Sequence, residues 1–148
     1  MVKFSVKRTL NFSDQQMYNL ISDVNKYPEF LPWCISTNVY NMSNNVFYSD
    51  MEIGFKLINE RFTSKVSLTS PNKVLSEAIN GPFKKMNNIW EIDYVSDKEC
   101  EIKLFIEFEF KSFLLQNLIG KLFENASKKM IIAFEERADI LYNNKTNK

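Results

Sequence analysis

The period of the apolar positions divides the chain. Residues 2–12 alternate apolar and polar, the pattern of a half-buried strand. A helix follows. Ser13 stands three residues before Gln16, as a capping box requires, and Phe12 and Met17 take the flanking hydrophobic-staple positions. Met17, Leu20, Ile21 and Val24 then recur at i, i+3, i+4 and i+7. Residues 26–31 form a second short helix or turn that Pro32 stops.

Beyond residue 34 the period is two. Segments 34–41 and 46–55 flank a polar turn at 42–45, and segments 59–70, 73–80, 86–96 and 99–110 continue the series. Turn signals at Pro71-Asn72, Asn80-Gly81-Pro82 and Ser96-Asp97-Lys98 separate them. The last strand is the clearest: Cys100, Ile102, Leu104, Ile106, Phe108 and Phe110 oppose Glu101, Lys103, Glu107 and Glu109. That places the glutamates on a solvated face and argues against a catalytic carboxylate pair. From Ser112 the period becomes 3.6, with Leu115, Leu118, Ile119, Leu122 and Ala126 continuing through Met130, Phe134, Ala138 and Leu141.

This order predicts an α+β domain over residues 1–143, with a polar tail at 144–148. A curved antiparallel sheet of about seven strands wraps around the long last helix, and a short helical pair follows the first strand. A strongly curved sheet facing one helix leaves an elongated gap between them. Alternation assigns Phe47, Met51, Phe62, Val66, Trp90, Ile92, Leu104, Ile106 and Phe108 to the sheet side of that gap. Leu115, Leu118, Leu122, Met130 and Phe134 face them from the helix. Gly120, inside the helix, suggests a close backbone approach there.

The segment from Val24 to Cys34 fits neither period. Pro28 and Pro32 exclude a helix interior or central strand, yet Tyr27, Phe30, Leu31 and Trp33 are large and apolar. Connectors normally run over the surface, so these side chains must pack on something. Two readings fit: a stiff corner plugging one end of the core, or the mouth of an apolar pocket. In the second, Tyr27, Pro28, Leu31, Pro32 and Trp33 form one wall and Phe83 the other, with Lys84 or Lys85 outside.

Composition narrows the chemistry. Thirteen phenylalanines, six tyrosines and two tryptophans in 148 residues make the chain aromatic-rich, and a net charge of +1 gives no field that would favour DNA. Histidine is absent and the two cysteines, Cys34 and Cys100, are far apart. A zinc site, a Ser-His or Cys-His nucleophile and the commonest general base are thereby excluded. Both thiols read as small buried hydrophobes. No apolar run approaches a membrane span, and because a strand-like pattern already begins at Lys3, a signal peptide is not expected.

Val24-x-x-Tyr27-Pro28-x-Phe30-Leu31-Pro32-Trp33-Cys34 resembles the signature of the coenzyme Q-binding START-domain family, which includes the bacterial ribosome-association toxin RatA. Glu60-Arg61-Phe62-Thr63-Ser64, Gly81-Pro82-Phe83-Lys84-Lys85 with Trp90, and a block from Phe108-Glu109-Phe110 to Arg137-Ala138 extend the resemblance over nearly the whole chain. It implies the helix-grip fold of START and Bet v 1-like proteins within the wider polyketide cyclase/dehydrase-like superfamily. It also implies non-catalytic binding of ubiquinone, a polyprenyl quinone, by a carrier or chaperone that supports respiratory electron transport. No cofactor is required, and the bound quinone is the ligand. A cytoplasmic bacterial protein with peripheral contact at the inner membrane is expected.

The alternative is a RatA-like toxin that binds the 50S ribosomal subunit and blocks subunit association. It needs a basic or aromatic surface, for which Lys84, Lys85, Lys128 and Lys129 are the local clusters. A polyketide cyclase or dehydrase is a third reading, by analogy of fold alone.

Overall fold

The computed structural model describes residues 1–55, 58–69 and 72–143. Its elements are β1 (Val2–Leu10), α1 (Asp14–Ser22), a 3-10 segment (Val24–Glu29), β2 (Cys34–Ser43), β3 (Val46–Phe55), β4 (Ile58–Thr69), β5 (Lys73–Asn80), β6 (Phe83–Ser96), β7 (Glu99–Phe110) and α2 (Phe113–Tyr142). The seven strands form one antiparallel sheet in the order β1-β7-β6-β5-β4-β3-β2. Strands β2 to β7 are thus a meander, and β1 joins out of sequence beside β7. This is the helix-grip architecture the sequence predicts. The expected tail at 144–148, and residues 70 and 71 of the β4–β5 connection, lie outside the described residues.

Local chemistry sets the boundaries. Ser13 Oγ accepts from Gln16 N–H and Gln16 Oε1 accepts from Ser13 N–H, both at 3.0 Å, which closes the capping box of α1. The β2–β3 hairpin turns on Asn44 and Asn45, with φ of 49° and 66°, the positive pair a two-residue type I′ turn requires. Strand β2 therefore runs to Ser43, beyond the end expected from alternation. Its pairing with β3 shifts register twice, between Cys34 and Ser36 and between Tyr40 and Ser43. Strand β6 begins at Phe83, earlier than expected, because Phe83 is in register with Phe110 of β7.

Helix α2 spans 30 residues, about 45 Å at 1.5 Å per residue. Its halves differ. Met130, Ile131, Phe134 and Ala138 are buried in a core shared with Leu10, Met17 and Ile21. Phe113, Leu114 and Leu118 near its start are 81%, 68% and 46% exposed. The expectation that Leu118 faces the sheet is therefore overturned. Leu115, Ile119, Leu122 and Ala126, at alternating four- and three-residue spacing, take the inward line and leave Leu118 on its outer flank. Leu141 is exposed as well. A Cβ built on Gly120 would meet only Val2 Cγ2, at 3.7 Å, an ordinary contact, so no close backbone approach explains that glycine.

Candidate ligand cavity

Between α2 and the concave face of the sheet lies a cavity of about 220 Å³, far above the roughly 10–15 Å³ that admits one water. Alternation supplies its sheet wall: Met51 and Ile53 from β3, Phe62 and Val66 from β4, Met86 and Trp90 from β6, and Ile106, Phe108 and Phe110 from β7. Ile119, Leu122, Ala126, Met130 and Phe134 close it from α2.

The chain passes from β7 into α2 through Ser112, whose hydroxyl caps the helix at Leu115 N–H. Gln116 Oε1 accepts from Phe110 N–H at 2.6 Å. The end of β7 and the start of α2 therefore share one end of the cavity. At that end Phe83 stacks on Phe110, with centroids 4.7 Å apart, and meets Phe62 edge-on at 5.1 Å. At the other end Phe134 meets Trp90, Tyr27 and Phe30 edge-on at 4.9, 5.3 and 5.1 Å.

The proline-rich segment is fastened on three sides. Tyr27 OH donates to the carbonyl of Ile21 in α1. Burial of that phenol, with Cys34 and Asp23 nearby, raises its pKa far above the ordinary value. Gly54 N–H of β3 donates to the Trp33 carbonyl at 2.9 Å. Arg137 of α2 donates to Glu29 at 2.6 Å and lies 5.4 Å from the Phe30 ring centroid. The Arg137 hydrogen bond is the main reason the Glu29 carboxyl titrates below the usual range.

Of the residues picked from sequence, Tyr27, Leu31, Trp33, Phe62, Val66 and Phe83 line the cavity, as do Trp90, Phe108, Leu122, Met130 and Phe134. Pro28 and Pro32 do not. Pro28 shapes the 3-10 segment, and Pro32 points to solvent. Leu118 is excluded by its exposure. Leu31 is a wall residue but is also deeply buried, so it is core as much as mouth. Phe47, Ile92 and Leu104 are packed in the solid core.

Lys84 and Lys85 lie on the convex face, paired with Glu109 at 3.5 Å and Glu107 at 3.0 Å. They are cross-strand rungs rather than a free basic patch. Lys7 likewise reaches Glu101 at 4.0 Å, so the glutamate row of β7 is an outward, lysine-paired face.

Alternation counted only apolar residues and so missed Ser49, Ser64, Ser76 and Asn88, which line the cavity from the sheet, and Ser127, which lines it from α2. The signal was present: Ser49 lies between Phe47 and Met51, Ser64 between Phe62 and Val66, and Asn88 two residues before Trp90. Ile58, Val24, Ile53, Met86, Phe110, Ile119 and Ala126 also line the wall without having been singled out. Cys34 and Cys100 are buried, and burial pushes both thiols up to about 11. Among the described residues no cluster of histidine, cysteine or carboxylate side chains could hold a metal ion.

Residues 10–135 match the family described as polyketide cyclase / dehydrase and lipid transport. The ribosome association toxin RatA of Rickettsia prowazekii is 32% identical over 142 residues, covering 93% of this chain and 97% of that protein. The mitochondrial coenzyme Q-binding protein COQ10 homolog B of Xenopus laevis is 30% identical over 145 residues, covering 95% of this chain and 59% of that protein. Among solved structures, an 18 kDa protein of Caulobacter crescentus has a TM-score of 0.79 at 29% identity, over 97% of this chain and 99% of its own. The Zhui aromatase/cyclase of Streptomyces sp. R1128 reaches a TM-score of 0.84 at 11% identity, with 93% of each chain covered, a likeness of fold alone. With the match spanning cavity, sheet and most of α2, the chain belongs to the polyketide cyclase/dehydrase and lipid-transport family.

Proposed function

We propose that the cavity binds a polyprenyl quinone without catalysis and that the protein carries or chaperones this lipid for respiratory electron transport. The observation that carries the reading is the cavity itself: a wall of aromatic, methionine and aliphatic side chains held open inside an otherwise packed domain. Each buried CH₂ of an isoprenoid chain contributes roughly 0.8 kcal/mol. Methionines and phenylalanines also repack around an irregular chain more readily than β-branched residues. The COQ10 relative supports the choice of quinone among lipids.

Loading needs a route to a bilayer. No helix among the described residues is long and apolar enough to cross one. The exposed Phe113, Leu114 and Leu118 stand on the same stretch of α2 as the wall residues Ile119 and Leu122, which supports peripheral contact at that end. Mass spectrometry of organic extracts from gently purified protein tests the reading. Co-purified quinone, or saturable uptake of added quinone, is expected; neither quinone nor any prenyl lipid in either assay sinks it.

A second reading is supported by the relatives named as RatA, 30% to 32% identical to this chain: association with the ribosome through its 50S subunit. Lys128 and Lys129 stand exposed and adjacent on α2, where a basic pair can meet RNA phosphates. Co-sedimentation with 50S subunits is the test. Loss on charge reversal at Lys128 and Lys129 supports ribosome binding, and no co-sedimentation at low salt, where such contacts are strongest, removes it.

A further inference from the structure

The cavity wall is apolar except along one row. Ser49 of β3 is paired in register with Ser64 of β4, and Ser76 of β5 with Asn88 of β6. Ser64 lies two residues from Val66, the register partner of Ser76. The four side chains therefore cross four strands with a single diagonal step, a neighbour relation of about 7–8 Å. Ser127 joins them from α2.

The row is not satisfied from within. Ser49 Oγ, Asn88 Oδ1 and Ser127 Oγ are shielded from solvent and have no hydrogen-bond partner among the described residues. Ser49 is 1% exposed and Ser127 2%. A buried polar atom without a partner opposes folding, and native interiors pair nearly all of them. Three such atoms, on residues that line the cavity from both the sheet and α2, point to something in the cavity that pairs with them.

Their depth is fixed by the elements that carry them. On β6, Asn88 sits between Trp90, at the Phe134 end, and Met86, toward the Phe83–Phe110 end. On α2, Ser127 sits between Phe134 and Ile119. The polar row thus girdles the middle of the cavity, beyond the aromatic cluster of Phe62, Phe83 and Phe110.

We propose that Ser49, Asn88 and Ser127 form an internal subsite for the oxygen-bearing ring of the ligand. An amphiphile with a carbonyl- or hydroxyl-bearing ring and an apolar chain is held ring inward, with its chain toward Phe83 and Ile119. A serine hydroxyl donates to a ring carbonyl and also accepts; the Asn88 carboxamide accepts from a ring hydroxyl through its oxygen and donates to a ring carbonyl through its nitrogen. The proposal rests on the lipid reading above and adds an orientation to it.

Calorimetric titration of the full chain with a decyl-substituted benzoquinone and with decylbenzene separates the two ideas. Ser127→Ala combined with Asn88→Leu should weaken decylbenzoquinone binding at least tenfold relative to decylbenzene binding. Quinone affinity within twofold of the parent in that variant and in Ser49→Ala, with both probes still binding, overturns the subsite: the row then serves ordered water only, and the lipid reading survives. Failure of the parent chain to bind either probe sinks the lipid reading and the subsite with it.

A second measurement does not depend on altering the row. The chain has two tryptophans: Trp90, two residues from Asn88 on the same face, and Trp33, on the connector between the 3-10 segment and β2. Quinone rings quench tryptophan emission at short range. Decylbenzoquinone should quench Trp33→Phe, whose remaining reporter is Trp90, more strongly than Trp90→Phe; the reverse order places the ring at Trp33 and overturns the proposal.

Discussion

Gly81 and Phe62 touch so closely that no side chain fits between them: a Cβ on Gly81 would lie 2.6 Å from Phe62 Cβ and 2.9 Å from the Arg61 carbonyl oxygen. Gly81 also has φ of 111°, a conformation other residues rarely adopt. The β5–β6 turn is thereby pressed against the strand that carries Phe62 into the cavity. Gly81→Ala should destabilise the fold by about 1–3 kcal/mol, read as a lower urea midpoint with unchanged slope; a neutral result would mean that the turn is not held in this form.

Gly120 is the opposite case. It sits on an exposed stretch of α2 with room for a methyl group, and alanine is favoured over glycine in a helix by up to about 1 kcal/mol. Gly120→Ala should raise the melting temperature, and a drop would show that this part of α2 must bend or approach something in use.

Leu122 and Ile131 lie on the same helix and should answer differently. Ile131 is packed in solid core, so Ile131→Ala should cost about 2–5 kcal/mol. Leu122 borders the cavity and retains exposure, so Leu122→Ala should cost about 1 kcal/mol or less while lowering quinone uptake. Equal losses in denaturant melts, with uptake unchanged, would make Leu122 plain core.

Alkaline pH should weaken the fold in a defined window. Burial raises the Cys34 and Cys100 thiols from 9.0 to about 11, and the Tyr27 phenol rises in the same sense. The native state holds these protons more tightly than the unfolded chain, so the thiols' contribution is complete below pH 9 and is lost as pH climbs through 11, while the phenol's begins to fall only above pH 10. Urea midpoints at pH 8, 9.5 and 11 should fall in that order. The fall should be shallower in Cys34→Ala, and thiol reagents should label the native protein slowly at pH 8.

Substitution at the connector separates mouth from plug. Trp33→Ala should lower quinone uptake with little loss of stability. Leu31→Ser should unfold the protein more readily, because Leu31 is almost fully buried and a serine there would desolvate a hydroxyl. A Trp33→Ala melt as damaged as that of Leu31→Ser would identify the whole connector as a plug.

The succession of elements along the chain, the Ser13 cap and the outward glutamates were legible because each follows from near neighbours: a period of two, or a spacing of three. The pairing of β1 with β7, which joins distant segments, has no such signal. Most of the apolar wall was legible for the same reason. The serine and asparagine row was not, because it exists only across strands. Ser64 and Ser76 become neighbours through a pairing register that no single strand records. Leu118 misled because its spacing from Leu115 and Leu122 suits a continuous stripe, whereas the sheet covers only the inward line of the early turns of α2.

The two register shifts in β2 bear on what happens when chains crowd together. An open sheet has two edges, each a row of backbone donors and acceptors able to recruit a strand from another molecule. Here β2 is one edge, and its shifts between Cys34 and Ser36 and between Tyr40 and Ser43 break the straight ladder that an incoming strand would need. The other edge, β1, turns Lys3 and Lys7 outward, so a second copy laid against it would bring like charges together. An irregular edge on one side and a lysine-bearing edge on the other each oppose the strand-to-strand pairing by which β-rich chains associate.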